Sequence, residues 1–245
     1  MYPHESVFQF KQFNVKQNKC AMKIGTDGVL LGAWTKVEDA KSILDVGTGT
    51  GLIALMVAQK SNILIDALDI DINSFEQSKE NFETSPWKDR LNCFKIAIQD
   101  YSRNTNKRYD LIVSNPPYFI NSPKSNIDAR ATARHMDESL SPEDLVNAVY
   151  ILLKENGRFN VILPLREGNL FTTIAEKSGL FCNRLVRVYT KPDKTEKRLL
   201  MTFGKTRTTV ETDKLYIQNE NGEYSKEFIA LTSPYYTHLP GLPNL

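Results

Sequence analysis

The sequence predicts an α/β fold: a mostly parallel seven-stranded sheet with an antiparallel last strand, helices on both faces, and a short β-rich N-terminal extension. Three observations predict it. Apolar runs alternate with helical patterns from Ser42 onward. The runs are apolar on both faces, as in the strands of a covered parallel sheet. The last two runs are joined by a connection at 190–197, short enough for an antiparallel pair. With 245 residues, 41% of them hydrophobic, the chain can bury one large core.

Taken in order, V-F-Q-F and Q-F-N-V read as short β structure, and Thr26-Asp27-Gly28 as the cap of a short helix running through residues 32 to 36. S-I-L-D-V and I-L-I-D-A-L-D-I are strands, and L-I-A-L-M-V-A-Q-K and N-S-F-E-Q-S-K-E-N-F are the helices that follow them. Further strands are expected at 91–98 and 109–115. A helix opened by Ser141-Pro142 and stopped by Gly157 leads into a strand at 158–164. A helix at 169–177 then precedes the runs F-C-N-R-L-V-R-V-Y-T and R-L-L-M-T-F-G-K. Without repeats or long linkers, this organisation is one domain over 41–245, with residues 1–40 as an extension packed on it.

Composition narrows the function. No apolar run approaches the ~18 residues of a membrane span, and the opening segment lacks a secretory pattern, so a cytoplasmic protein is expected. Three scattered cysteines without C-x-x-C and three histidines suggest neither a disulfide framework nor a metal site. The net charge of +2 is mild, but residues 184–207 hold eight basic residues against Asp193 and Glu196.

The segment I-L-D-V-G-T-G-T-G places Gly47, Gly49 and Gly51 at a strand-to-helix turn, where missing Cβ atoms permit close approach of a ligand. A dinucleotide fingerprint, G-x-G-x-x-G, would need glycine where Leu52 stands. G-x-G-x-G after the acidic Asp45 instead resembles motif I of class I (Rossmann-like) methyltransferases. The resemblance implies that Asp45, Gly47, Thr48, Gly49 and Gly51 lie against the amino-acid and ribose parts of S-adenosylmethionine. Asp69, 22 residues after Gly47, closes the next strand, and the resemblance together with this spacing implies that it accepts from both ribose hydroxyls and that Asp100 meets the adenine amino group. Asp71 competes with Asp69, which is preferred because it directly follows the apolar run.

Asn115-Pro116-Pro117-Tyr118 ends the strand at 109–115. Two prolines stop the strand and remove two N–H donors, leaving carbonyl oxygens and the Asn115 side-chain oxygen as acceptors for an incoming NH2 group. Such acceptors favour a pyramidal nitrogen whose lone pair is free to attack. Tyr118 offers a face on which a flipped-out base can stack.

N-P-P-Y resembles the motif of methyltransferases acting on planar amino nitrogens. Together with F-K-Q-F-N-V, C-A-M-K-I-G-T-D-G-V-L-L-G-A-W, S-P-W-K-D-R-L, A-R-A-T-A-R-H and G-E-Y-S-K-E-F, the chain is similar to the bacterial tRNA (adenine-N6) methyltransferase family that modifies adenosine 37 of a valine tRNA. That resemblance implies a tRNA partner and places Lys23, Thr26 and Asp27 close to the cofactor. Arg130 and Arg134, four residues apart, and Lys194, Lys197 and Arg198 in the basic stretch are candidates for RNA phosphates. The alternatives are a glutamine methyltransferase acting on release factors, which shares N-P-P-Y, and a cofactor-binding fold serving only as an RNA-binding module.

Overall fold

The structure is a computed structural model that describes residues 6–117 and 140–238. The chain opens with an antiparallel hairpin, β1 (Val7–Gln9) and β2 (Asn14–Lys16), followed by α1 (Thr26–Trp34). Then come β3 (Ile43–Val46), α2 (Leu52–Gln59), β4 (Ile65–Asp69), α3 (Ile72–Glu83), β5 (Leu91–Lys95), α4 (Ile98–Asn104) and β6 (Tyr109–Ser114). After the undescribed stretch follow α5 (Pro142–Leu152), β7 (Leu153–Pro164), α6 (Leu165–Lys177), β8 (Phe181–Tyr189), β9 (Glu196–Gly204), β10 (Glu211–Tyr216) and α7 (Lys226–Thr232).

The predicted α/β architecture is present, with one strand more than expected. Among the described residues the main sheet has eight strands in the order β10-β8-β9-β7-β6-β3-β4-β5, and of these β9 alone runs against the others. The antiparallel strand is therefore not the last in the chain: β10 returns to pair parallel with β8. β10 carries little sequence signal because it is a polar edge strand, exposed from Glu211 to Lys214, with Leu215 its one buried residue.

Three local readings need correction. α1 begins after Gly25 without a side-chain cap, and ends at Trp34. The strand expected at 91–98 stops at Lys95, and the apolar residues after it start α4. α5 is capped by the Ser141 hydroxyl, which accepts from Asp144 N at 3.0 Å, but it ends at Leu152 rather than at Gly157. Gly157 lies inside β7, where a Cβ would stand 2.9 Å from the Tyr109 carbonyl, so its small size serves the approach of two strands.

Two apolar clusters cover the sheet. One joins α1, α2 and α7 to Ile43, Val113, Val186, Val188, Leu200 and Leu215, and the other packs α5 and α6 on Leu44, Ile112, Phe159 and Leu199. Phe10, Phe13 and Val15 of the N-terminal segment belong to the first cluster. The segment is also stitched to α3, with Lys16 N donating to Asn81 Oδ1 at 2.9 Å and Lys19 N to Gln77 Oε1 at 3.0 Å. Residues 20–28 are thereby held beside the carboxyl edge of the sheet.

Candidate active site

The strand order reverses at β3, which has β4 and β5 on one side and β6 on the other. Val46 and Ser114 are paired, so the residues that follow them, Gly47 and Asn115, leave adjacent strands at the same carboxyl edge. Open α/β sheets hold ligands at such a switch point. Two adjoining cavities of about 440 and 320 Å³ meet there, and Met22, Gly47, Gly49 and Asn115 line both.

The three glycines of the turn do different work. Gly47 and Gly49 have φ of +68° and +56°, and among the described residues a Cβ on either would meet nothing within 4 Å, leaving room over the turn. Gly51 lines neither cavity, and its Cβ would stand 2.5 Å from Phe82 Cε1 of α3. Its small size lets α2 start close against α3. Asp45 is likewise beneath the turn rather than in the crevice. It is fully buried, and its Oδ2 accepts from Thr48 Oγ1 at 2.6 Å and from Ala54 N at 3.2 Å, while Oδ1 has no hydrogen-bond partner among the described residues. Burial pushes its carboxyl up to about 7. Thr48 lines the larger cavity and spends its hydroxyl on Asp45.

Asp69 lies on the wall of the smaller cavity, with Oδ2 accepting from Gly49 N at 2.8 Å and Oδ1 from Asp71 N at 3.0 Å. Burial raises its pKa. Asp71 is engaged elsewhere, capping α3 by accepting from Ser74 N at 2.8 Å. Asp100 lines neither cavity: it falls in the first turn of α4, with a side chain 59% exposed and 3.4 Å from Arg103. The helix carries it away from the wall formed by Ala97, Ile98 and Gln99.

Sequence reasoning missed that wall. Ile70, Ile96 and Ile98 line the smaller cavity, and Ile70 is 50% exposed, a large apolar side chain at a strand end with room beside it for a planar ring. The usable signal was an isoleucine directly after the acidic strand end.

Lys23, Thr26 and Asp27 line the larger cavity. Lys23 Nζ donates to the carbonyls of Gln17, at 2.5 Å, and Cys20, at 3.2 Å, fastening the loop that carries it. Asp27 Oδ2 accepts from Arg198 Nε at 2.7 Å. Arg198 thus belongs to the crevice, whereas Lys194, 3.0 Å from Asp193, is exposed on the turn before β9, and Lys197 is exposed within β9. Asn115 is half-buried, Pro116 buried and Pro117 exposed; Asn115 and Pro116 face the larger cavity, Asn115 and Pro117 the smaller. Tyr118, Arg130 and Arg134 lie outside the described residues. Among the described residues no group of His, Cys, Asp or Glu is placed to hold a metal ion, and no helix is long and apolar enough to cross a membrane.

A glycine turn and an N-P-P strand end meeting in one crevice of an α/β sheet define a methyltransferase of the Rossmann-like class. The profile of the methyltransferase small domain matches residues 20–150. A solved structure, a predicted O-methyltransferase from Agrobacterium tumefaciens, shares the fold with a TM-score of 0.67 at 14% identity, covering 89% of this chain and 100% of its own. Relatives named tRNA1(Val) (adenine(37)-N6)-methyltransferase are 48% identical in Trichodesmium erythraeum and 45% in Flavobacterium psychrophilum. Each match covers 94% of this chain, with 97% and 99% of the respective relatives. The chain belongs to the tRNA1(Val) (adenine(37)-N6)-methyltransferase family. Its cofactor is S-adenosylmethionine, and the crevice suits it: open space over Gly47 and Gly49, a carboxylate at Asp69 and an apolar wall at Ile70 and Ile98.

Proposed function

We propose that this chain methylates the exocyclic N6 of the adenine immediately 3′ of the anticodon, position 37, in a valine tRNA. The observation that carries the reading is the placement of Asn115, which lines both cavities beside Gly47 and Gly49. Bound S-adenosylmethionine supplies an electrophilic methyl group on a positively charged sulfur. Gly47 and Gly49 would make room for it, Asp69 would accept from its ribose hydroxyls, and Ile70, Ile96 and Ile98 would take its adenine ring. Lys23, Thr26 and Asp27 border the remaining part of the crevice.

The residues of the strand end act on the acceptor. An amine conjugated to a heteroaromatic ring is a poor nucleophile because its lone pair is delocalised. Asn115 Oδ1 and the Pro116 carbonyl, accepting its two hydrogens, favour a pyramidal nitrogen and stabilise the charge that develops on it. The proton leaves after transfer, so no strong base is required. Tyr118 supplies a stacking face for the target base. An anticodon loop presents that base unpaired, which lowers the cost of extruding it. The names borne by relatives 45–48% identical support the same substrate.

Incubation with unmodified valine tRNA and, separately, with a peptide release factor, followed by nucleoside and peptide mass spectrometry, tests the proposal. N6-methyladenosine that disappears when position 37 is changed supports it. Methylglutamine without an RNA product overturns it.

A further inference from the structure

At the far end of the sheet, two tyrosines form a surface that the transfer chemistry does not use. Tyr189 closes β8 and Tyr216 closes β10; they are Cα partners, and their ring centroids are 5.1 Å apart. Both are partly exposed. Their strands run in the same direction as β6, so both rings lie at the carboxyl edge that also carries Asn115. β8 stands three strands from β6, and at a spacing of ~4.8 Å this puts Tyr189 roughly 14 Å along the edge from the reacting asparagine.

The face is defined by strand alternation. Val188 and Leu215 are buried in the cluster that contains α7, so Tyr189 and Tyr216 point to the opposite side, with Arg187 and Lys214 two residues before them. Lys214 is exposed, and Arg187 is held at 2.9 Å by Glu196. The turn after Tyr189 adds Lys191 and Lys194. Cross-strand packing accounts for the ring contact alone. It does not call for cations around the rings at the edge where the substrate must arrive.

Aromatic faces bordered by lysine and arginine suit unpaired nucleotides, whose bases stack and whose phosphates pair with cations. Resting on the tRNA reading above, we propose that the β8–β10 edge is a docking platform for unpaired nucleotides near the target base, with Tyr189 and Tyr216 stacking on a base and Lys191, Lys194 and Lys214 meeting the phosphates. The platform explains why β10, a polar edge strand, returns to the sheet on the side of the basic turn.

The test compares the wild type with Tyr189→Ser/Tyr216→Ser, Tyr189→Phe/Tyr216→Phe and Lys191→Ala/Lys194→Ala/Lys214→Ala. The readouts are KM and kcat with unmodified valine tRNA, cofactor affinity by calorimetry, and the salt dependence of tRNA binding. The serine pair should raise the tRNA KM about tenfold. Its kcat at saturating tRNA and its cofactor affinity should stay at the wild-type level, and the phenylalanine pair should behave as wild type. The lysine variant should flatten the slope of log affinity against log salt by about 0.7 for each phosphate it no longer neutralises. A serine pair that binds cofactor normally and keeps the wild-type KM overturns the platform while leaving the tRNA reading intact. Should the serine pair fail to fold, an unchanged salt slope in the lysine variant overturns it instead. A wild-type protein that methylates only a peptide overturns both.

Discussion

The hydroxyl of Ser114 donates to the carbonyl oxygen of Val46 at 2.9 Å, and Ser114 is fully buried. The bond ties the last residue of β6 to the last residue of β3, one position before Asn115 on one side and Gly47 on the other. Acceptor loop and glycine turn are thereby held in one register. Ser114→Ala should cost about 1 kcal/mol of stability by thermal or denaturant unfolding. A kcat reduced beyond what that loss of folded protein explains would mark Ser114 as a positioning residue.

Asn115→Ala should remove most methyl transfer while cofactor affinity stays near wild type, because the deleted acceptor serves the target amine. Removing one preorganised hydrogen bond at a reacting centre commonly costs ~10² to 10³-fold in rate. Single-turnover kinetics with calorimetry checks this, and an equally large loss of cofactor binding would count against the assignment.

Asp69 and Asp71 should separate cleanly. Asp69→Ala is expected to weaken S-adenosylmethionine by roughly 1.5 to 3 kcal/mol and also to loosen the turn, since the carboxylate accepts from Gly49 N. Asp71→Ala removes the cap of α3 and should instead cost about 1 kcal/mol of stability. Paired calorimetry and melting curves distinguish the two, and a binding loss found only with Asp71→Ala reverses the choice.

The glycines make a second contrast. Gly51→Ala forces a methyl group toward Phe82 at φ +82° and should lower stability by at least about 1 kcal/mol. Gly49→Ala meets no atom of the described residues, so beyond its backbone strain the added methyl should appear mainly as reduced cofactor affinity. Equal effects of the two substitutions on cofactor binding would contradict the division of roles.

Asp45 predicts a pH dependence. Its folded carboxyl titrates near 7, above the ordinary carboxylate value of 3.8, so the folded state holds that proton more tightly than the unfolded chain. Its contribution to stability is therefore full below the unfolded value and is lost as the pH rises through about 7. Asp45→Asn keeps an oxygen for Thr48 and Ala54 but does not titrate. The fall in Tm between pH 5 and pH 8 should be smaller in this variant than in the wild type.

What the sequence determined by itself was local in origin. The alternation of strands and helices follows from apolar periodicity, the turn at Gly47 and Gly49 from backbone that needs positive φ, and the stop at Asn115 from two prolines that cannot continue a ladder. The position of Asp69 was also legible, because a strand end lies at a predictable edge. The remaining assignments depended on residues distant in the chain. Phe82 gives Gly51 a packing role, and the helical turn of α4 withdraws Asp100 from the crevice. Arg198 is drawn from the basic stretch into the cavity by Asp27, 171 positions earlier. β10 becomes a strand only because the edge of β8 is there to pair with it. Spacing and periodicity describe neighbours along the chain; burial, clash and ion pairing depend on neighbours in space, which only the tertiary structure supplies.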